Sequence, residues 1–430
     1  MQHKIQSFSN FTRAIHTRSK RVRPDHEEQL QAIATRAHER GLLARGNGLS
    51  YSDCCVLNQG TLIDTSRLNH LISFDPHSGI AVCQGSVTFA DLFLIDAHFI
   101  PPVLPGTLYA TLAGGLANDI HGKNNHHAGS FAHHVDWVEL NISGHTYRCS
   151  RDENKALFTA TIAGLGLTGI ITRMGIRLRQ ASRFVRAHTV KFTHTAPLLA
   201  HMQHAGIAHD YQVAWLDFLN KPYGLLSLAD HIEHTGQTKM KQTHTIPPLP
   251  MRLINRSIIK PFNRMHYHRA SIRPQIRPLW AFNNPLDRIK YWNRLYGKHG
   301  LVQFQAVFAA CDAEKTLDAL RSCIQKQHAT PTLAVLKYFT QPGLGLLSFT
   351  QPGFTVAIDF IHNATARRAI EEMNQCITES GGKVYLAKDL YLYPAQYEHM
   401  YPEHEAFQGV LNAFNSPMRS DLGTRLGINR

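Results

Sequence analysis

Acidic residues are scarce in this chain: 31 Asp and Glu stand against 45 Lys and Arg, a formal net charge of +14. Its 28 histidines add positive charge under mild acid, so the surrounding field favours an anionic partner: nucleic acid, an anionic membrane or a phosphorylated substrate. Long apolar runs are also missing. No stretch approaches the roughly 18 uninterrupted apolar residues of a spanning helix, and the opening MQHKIQSFSNF lacks the apolar run of a signal peptide. Any membrane contact is expected to be peripheral. The seven cysteines (54, 55, 83, 149, 311, 323, 376) are scattered without CxxC spacing, which argues against a disulfide framework or a zinc site and for a reducing compartment such as the cytoplasm. Basic residues cluster at Arg18–Arg23 and Arg252–Arg277, but no nucleic-acid motif accompanies them, so nucleic acid is set aside as a partner.

What is abundant is glycine in a few places. The stretch Leu104–Val135, LPGTLYATLAGGLANDIHGKNNHHAGSFAHHV, holds Gly106, Gly114, Gly115, Gly122 and Gly129 with small alanines and five histidines. Such a segment makes a poor core helix but suits close backbone approach to phosphates or a flat ring. Apolar residues recur through it (Leu104, Leu112, Leu116, Ile120, Phe131, Val135), so it reads as folded and buried rather than as a solvated loop. A metal site built from His121, His126, His127, His133 and His134 finds no HExxH-like spacing or cysteine partner, and no metal is expected.

At 430 residues the chain exceeds the usual single-core limit, and 43% hydrophobic with 18% charged residues describes a globular protein, so two domains are expected. Pro24, Asp25 and Glu28 read as a capping-box start for a helix carrying Leu30, Ile33, Ala34 and Ala37 on one face and ending at Gly41. Leu42–Ala44 reads as a strand, followed by the glycine turn RGNGLSYSD (Arg45–Asp53), whose free N–H groups could hold a pyrophosphate or simply turn the chain. Strands are expected at 60–64, 70–75 and 80–84, a helix at 88–96, a hairpin of 135–142 and 145–150 around Ser143–Gly144, a helix at 153–159 and an apolar strand from Ile170. Residues 231–275, basic and rich in His and Pro with weak periodicity, read as a mobile loop or lid. Two strand–helix–strand units follow, 302–308/313–326/332–339 and 355–361/366–379/383–387, which predict a split β-α-β sheet with helices on one face and an α+β class overall.

Three glycine-dense segments in this order, RGNGLSYSD, then PGT with GGLANDIHGKNNHHAGSF, then GLGLTGII, resemble the FAD-binding domain of the vanillyl-alcohol-oxidase-like (PCMH-type) flavoprotein superfamily. Within it, DIHGKNNHHAGSFAHHV, AWLD, YWNRLYG, VQFQ, LKYF, YLAKD and SDLGTRL look like the oxidases of polyprenylphosphoryl-β-D-ribose, and the resemblance covers nearly the whole chain, thinning between about 220 and 275. It implies an FAD-binding domain over 1–185, a substrate-binding domain over 186–382 and a C-terminal segment, 383–430, that returns to the first. The activity it implies is FAD-dependent oxidation of the C2′ hydroxyl to a 2′-keto sugar. An NAD(P)H-dependent keto-reductase partner then completes epimerisation to the arabinose donor for cell-envelope polysaccharide. The enzyme would work at the inner membrane, and its positive charge suits an anionic lipid substrate.

The same resemblance assigns residues. Ala44, Arg45, Gly46, Asn47, Gly48, Leu49, Ser50, Tyr51, Ser52, Asp53 and Cys54 would hold the FAD pyrophosphate, with Tyr51 near the entrance. Gly106, Thr111, Leu112, Ala113, Gly114, Asn118, Asp119, Ile120 and His121 would line the flavin, Ile170 would touch it through its backbone, and Tyr385 would lie against it. FAD is expected to be non-covalent, although relatives sometimes attach it through a histidine; His121 fits a structural histidine equally well. Lys388 in YLAKD is the expected catalytic base, because alcohol oxidation needs an acceptor for the hydroxyl proton and burial favours the neutral amine. Without the resemblance, a solvated lysine at a strand end would be the default. Gln305 and Lys337 would bond the sugar or its phosphate, while Phe339 and Trp215 would wall the ligand or serve as plain core.

Departures from the family bear on substrate identity. Ala357 and Thr355 stand where mycobacterial-type members carry a cysteine and an asparagine, and Asn283 replaces a tyrosine. Hydride transfer does not need the cysteine, but the pocket wall is altered. A soluble sugar-alcohol or aldonolactone oxidase on the same fold is the alternative function, and a non-enzymatic basic binding protein a third.

Overall fold

The structure, a computed structural model, describes residues 4–36, 38–236, 244–248 and 251–428. Its strands form three main sheets, numbered here in chain order. Strands β1 (Lys4–Ser9), β2 (His16–Val22), β3 (Leu42–Arg45) and β4 (Thr61–Asp64) make the first, in the order β1-β2-β4-β3. β4 runs parallel to both its neighbours, β2 and β3, and the short apolar runs LLAR of β3 and TLID of β4 are the buried part of the sheet, whereas β2 alternates exposed and buried residues. Helix α1 (Glu27–Ala34) covers one face with Leu30, Ile33 and Ala34. The expected capping box is absent: His26 occupies the N-cap without a side-chain bond, and the Asp25 carboxylate pairs with Arg67 instead. The helix also stops at Ala34, well short of Gly41; Ala37, assigned to its inner face, lies outside the described residues.

The second sheet is antiparallel: β5 (Leu71–Asp75), β6 (Ile80–Gln84), β7 (Val135–Ile142), β8 (His145–Ser150) and β9 (Ile170–Arg177), in the order β5-β6-β9-β7-β8. Ser143 and Gly144 close the β7–β8 hairpin with φ of 50° and 89°, the positive pair that a two-residue turn matching the strand twist requires. The helix expected over 88–96 is a single turn, Phe89–Leu92, closed by a Thr88–Asp91 capping box. Turn bonds follow it, from the Leu94 and Ile95 N–H groups to the Asp91 and Leu92 carbonyls, before Asp96 accepts from the His98 N–H.

Eight strands make the third sheet: β10 (Phe184–Phe192), β11 (Tyr211–Leu216), β12 (Gly224–His231), β13 (Gln275–Pro278), β14 (Leu301–Phe308), β15 (Pro331–Phe339), β16 (Gly353–Ile361) and β17 (Lys383–Val384). Their order is β13-β10-β12-β11-β15-β16-β14-β17. The two expected units interlock, since β16 lies between β14 and β15 while β14 lies between β16 and β17, the split β-α-β arrangement. Their helices cover one face through apolar stripes, Leu317, Leu320 and Ile324 on Ala313–Lys326 and Ile370, Met373 and Ile377 on Ala364–Glu379. The mixed architecture agrees with the α+β expectation.

Two expectations here need correction. The strand assigned to 383–387 pairs only over Lys383–Val384, because Ser50 Oγ and Ser52 N–H both donate to the Ala387 carbonyl and pull the chain out of the sheet. The 231–275 segment is not a featureless lid: it contains a helix, α2 (Arg256–Arg269), N-capped by Asn255. Its inward stripe is Ile259, Asn263 and Tyr267, and the polar middle residue hid the period; Asn263 donates to Asp217 at 3.0 Å. Residues 237–243 and 249–250 of that segment lie outside the described residues.

Candidate active site

The site lies on the face of the third sheet opposite the helices Ala313–Lys326 and Ala364–Glu379. Directly paired residues of antiparallel strands share a face. The register therefore sets Trp215, Val335, Ala357 and Gln305 in one row, with Lys337 and Thr355 beside it on one flank and Gln303 and Asp359 on the other. Trp215, Val335 and Ala357 are half-buried, so the row forms an apolar strip that ends at the buried Gln305.

His121, from the glycine-rich stretch, docks where these rows meet. Gln305 Nε2 lies 3.0 Å from His121 Nε2 and 3.3 Å from Thr355 Oγ1, while Lys337 Nζ lies 3.3 Å from His121 Nδ1. Burial, then Lys337 and Lys388, hold the imidazole well below its usual range, so it is neutral and can accept at one nitrogen only. Gln305 and Lys337 thus hold the two ring nitrogens of His121 from opposite sides, and the Lys337 amine also donates to the His121 carbonyl at 3.5 Å. Burial and Lys388 lower Lys337 to about 7. Phe339 is fully buried and meets the His121 ring edge-on at 4.8 Å, so it backs the histidine rather than presenting open surface.

Lys388 lies with Nζ 3.4 Å from the centre of the Tyr51 ring. Tyr51 is stacked on Phe11 at 5.2 Å, and Asn10 Nδ2 donates to the Tyr51 carbonyl at 2.7 Å, so the N-terminal residues brace the ring under the lysine. Burial lowers Lys388 to about 8, against the upward pull of Asp359 and Cys54. Asp359 is itself raised to about 6 by burial, against its Gln303 bond and Lys388. Lys123 of HGKN, lowered to about 7 by burial and Lys337, donates to the Phe282 carbonyl at 2.7 Å. Three amines thus converge on one wall, and an anion bound there would offset the burial that lowers their proton affinity and favour their charged forms.

Three separate segments are tied together beside this wall. Asn47 Nδ2 donates to the Tyr109 carbonyl at 2.8 Å, linking the first glycine turn to the second. The Tyr385 hydroxyl donates to the Asn118 carbonyl at 2.7 Å, and Ser50 Oγ to the Ala387 carbonyl at 3.0 Å, so 385–388 straps both turns. Tyr385 is also stacked on Phe349 at 4.6 Å. Under the first turn, Arg45, just after Ala44, holds the carbonyls of Ser9 and Cys55. Ser52, Asp53 and Cys54 form a short turn in which Arg425 grips Asp53 with bonds of 2.9 and 3.0 Å. Thr111 caps the short helix Leu112–Ala117, which carries Leu112, Ala113 and Gly114. Asp119 is committed within the fold, to Ser348 Oγ at 2.8 Å and the Ala132 N–H, and Ile120 N–H bonds the Gly115 carbonyl. Ile170 is buried at the start of β9 among Val22, Leu30, Leu42, Leu68 and Met418.

Three other histidines of the stretch have separate partners, His126 the His209 carbonyl, His134 the Ala128 carbonyl and His133 the Ser130 hydroxyl, while the His127 ring lies 4.4 Å from that of His126. Among the described residues no cluster of three or more His, Cys, Asp and Glu side chains is arranged to hold a metal. Asp359, Lys123 and the bracing pair Asn10–Phe11 were missed from sequence. Asp359 alone left a local sign, an acid in the apolar strand TVAIDF.

A family profile described as an FAD-binding domain matches residues 19–150. The decaprenylphosphoryl-β-D-ribose oxidase of Mycolicibacterium smegmatis is 31% identical over 94% of this chain and 93% of its own length. The chain belongs to the decaprenylphosphoryl-β-D-ribose oxidase family. An uncharacterised protein of Streptomyces coelicolor is 28% identical over 79% of this chain and 98% of its own, whereas the D-arabinono-1,4-lactone oxidase of Yarrowia lipolytica is 30% identical over only 36% of this chain and 31% of its own. Membership of the decaprenylphosphoryl-β-D-ribose oxidase family makes this chain an FAD-dependent oxidoreductase.

The residues fit the dinucleotide. Among the described residues, the backbone N–H groups of Gly46, Asn47, Gly48, Leu49, Ser50 and Tyr51 meet no protein acceptor, a run of donors suited to a pyrophosphate. Glycine is required there: a Cβ on Gly46 would lie 2.5 Å from Thr111 Oγ1, and Gly48, at φ 63°, would drive one into the Arg45 guanidinium. At Gly106 a Cβ would meet nothing within 4 Å, marking open space beside the second turn.

Proposed function

We propose that this member of the family oxidises the C2′ hydroxyl of a polyprenylphosphoryl-β-D-ribose to the 2′-keto sugar, the first half of epimerisation to an arabinose donor. The observation that carries the reading is Lys388: a half-buried amine with a proton affinity near neutrality, set over Tyr51 where the 385–388 strap crosses both glycine turns. Bound FAD supplies the two-electron acceptor for the hydride leaving C2′. Lys388 Nζ takes the hydroxyl proton as the C–O bond becomes a carbonyl. Tyr385 and the 106–121 turn hold the flavin, Gly46–Tyr51 the pyrophosphate. Gln305 and Lys337, oriented by His121, bond the ribose and its phosphate, and Lys123 adds positive potential. The strip of Trp215, Val335 and Ala357 takes the first isoprene units.

The division into an FAD-binding part (1–185 with 383–430) and a substrate-binding part (186–382) belongs to the same proposal. It is supported by the strap that carries the base from the third sheet back to the glycine turns. The keto product is reactive and lipid-bound, so a membrane-side keto-reductase is the fitting consumer. Reading the chain instead as a sugar-alcohol or aldonolactone oxidase leaves the apolar strip without a role. Ribose substrate deuterated at C2′ tests the step: a primary isotope effect on flavin bleaching, with the 2′-ketone as product, is expected, and oxidation at another carbon would overturn it.

A further inference from the structure

We propose that α2 and the segment after it form the surface by which this protein docks on an anionic lipid bilayer, the reservoir of its substrate; the proposal rests on the lipid-linked substrate reading above. Helix α2 buries a single stripe, Ile259, Asn263 and Tyr267. On a different face, Ile258, Phe262 and Met265, spaced i, i+4, i+7, form a second apolar stripe that is 52%, 48% and 44% exposed. Further along the chain, Ile272 and Ile276 are also 62% and 46% exposed. Half of the large hydrophobic side chains exposed among the described residues, seven of fourteen, fall between Met251 and Ile276. A concentration of that kind marks an interaction site rather than ordinary surface scatter.

Charge selects the partner. From 251 to 286 the chain carries seven Lys and Arg, between Arg252 and Arg277, and no Asp or Glu. Apolar side chains flanked by unopposed basic ones match a helix lying in the headgroup layer, its apolar stripe at the acyl boundary and its cations on lipid phosphates. A second copy of the same chain would bring the same positive charge to the contact and be repelled. Position agrees. The His266 ring of α2 meets Trp215 edge-on at 5.0 Å, and Trp215 begins the row that runs through Val335 and Ala357 to Gln305. With α2 on the bilayer, a polyprenyl tail can stay in lipid along that strip while its sugar phosphate reaches Lys337 and His121.

The test uses the FAD-bound protein and vesicles of phosphatidylethanolamine with phosphatidylglycerol, alongside phosphatidylcholine vesicles, in a flotation assay. Wild type is expected to float with the anionic vesicles and to be released by high salt. Ile258→Ser/Phe262→Ser should bind them at least roughly tenfold more weakly, each lost apolar contact being a sizeable share of such binding. Its flavin content and its turnover of a water-dispersed farnesylphosphoryl ribose should remain unchanged. Equal flotation of variant and wild type, or no flotation of wild type, would overturn the docking surface. So would loss of self-association in the variant with vesicle binding intact, which gives the patch to a second copy. Failure of the substrate reading shows separately, as wild-type flotation without farnesylphosphoryl ribose oxidation.

Discussion

Replacing Lys388 by alanine tests the chemistry without dismantling the site. The Lys388 amine lies over the Tyr51 ring, and the backbone N–H bonds the Tyr385 carbonyl whatever the side chain is. Losing a cation–π contact of about 0.5–2 kcal/mol is small against a global stability on the order of 5–15 kcal/mol, so the variant should fold and keep its flavin. Removing a general base should slow flavin reduction by about 10²–10⁴-fold. The pH series adds a second signature. Only the neutral amine accepts a proton, so in wild type the anaerobic reduction rate should rise with pH, about tenfold per unit, and level off above the Lys388 value of about 8. The alanine variant should lack that limb. Stopped-flow bleaching of the flavin measures both. A variant that reduces at the wild-type rate, or that keeps the same limb, would refute the assignment.

Asp359 raises the proton affinity of Lys388. Asp359→Asn should therefore move the rising limb of the same pH profile to lower pH, and an unmoved limb would detach the carboxylate from the base. Arg425 joins Asp53 and Asp389 at 2.9 Å each, and Asp389 follows the base in the chain. Arg425→Ala strands two buried carboxylates and should cost about 3 kcal/mol in urea unfolding, the lower end for a broken buried pair because the arginine is a quarter exposed. A loss below ~1 kcal/mol would show that the pair is not a structural clamp.

The parts of this protein that were legible in its sequence are those where one residue type answers one local demand. Gly46 and Gly48 stand where a Cβ collides, and the Ser143–Gly144 hairpin needs two positive φ values. The two strand–helix–strand units announce themselves by period because three large apolar residues carry the inward stripe of each helix, Leu317, Leu320 and Ile324 on one and Ile370, Met373 and Ile377 on the other, with Thr316 and Asn374 buried beside them. Helix α2 was hidden because its inward stripe runs through Asn263, whose partner Asp217 is 46 residues away. The capping box at Asp25 failed for a similar reason, since Arg67 competes for the carboxylate. Lys123 and the brace under Tyr51 depend on contacts between distant segments, and no local pattern encodes them, while Asp359 shows locally only as an acid in an apolar strand. Lys388 shows the same limit from the other side: its depressed proton affinity comes from burial between sheet and strap, while its local sequence reads as an ordinary strand end.

The central claim is that this flavoprotein draws its hydride from a lipid-linked ribose. Anaerobic mixing of the purified, FAD-bound protein with farnesylphosphoryl-β-D-ribose, and separately with free pentitols and aldonolactones, tests it most directly. The flavin is expected to bleach with the farnesylphosphoryl sugar alone; bleaching by the free pentitols or lactones, with the lipid-linked sugar inert, would overturn the assignment.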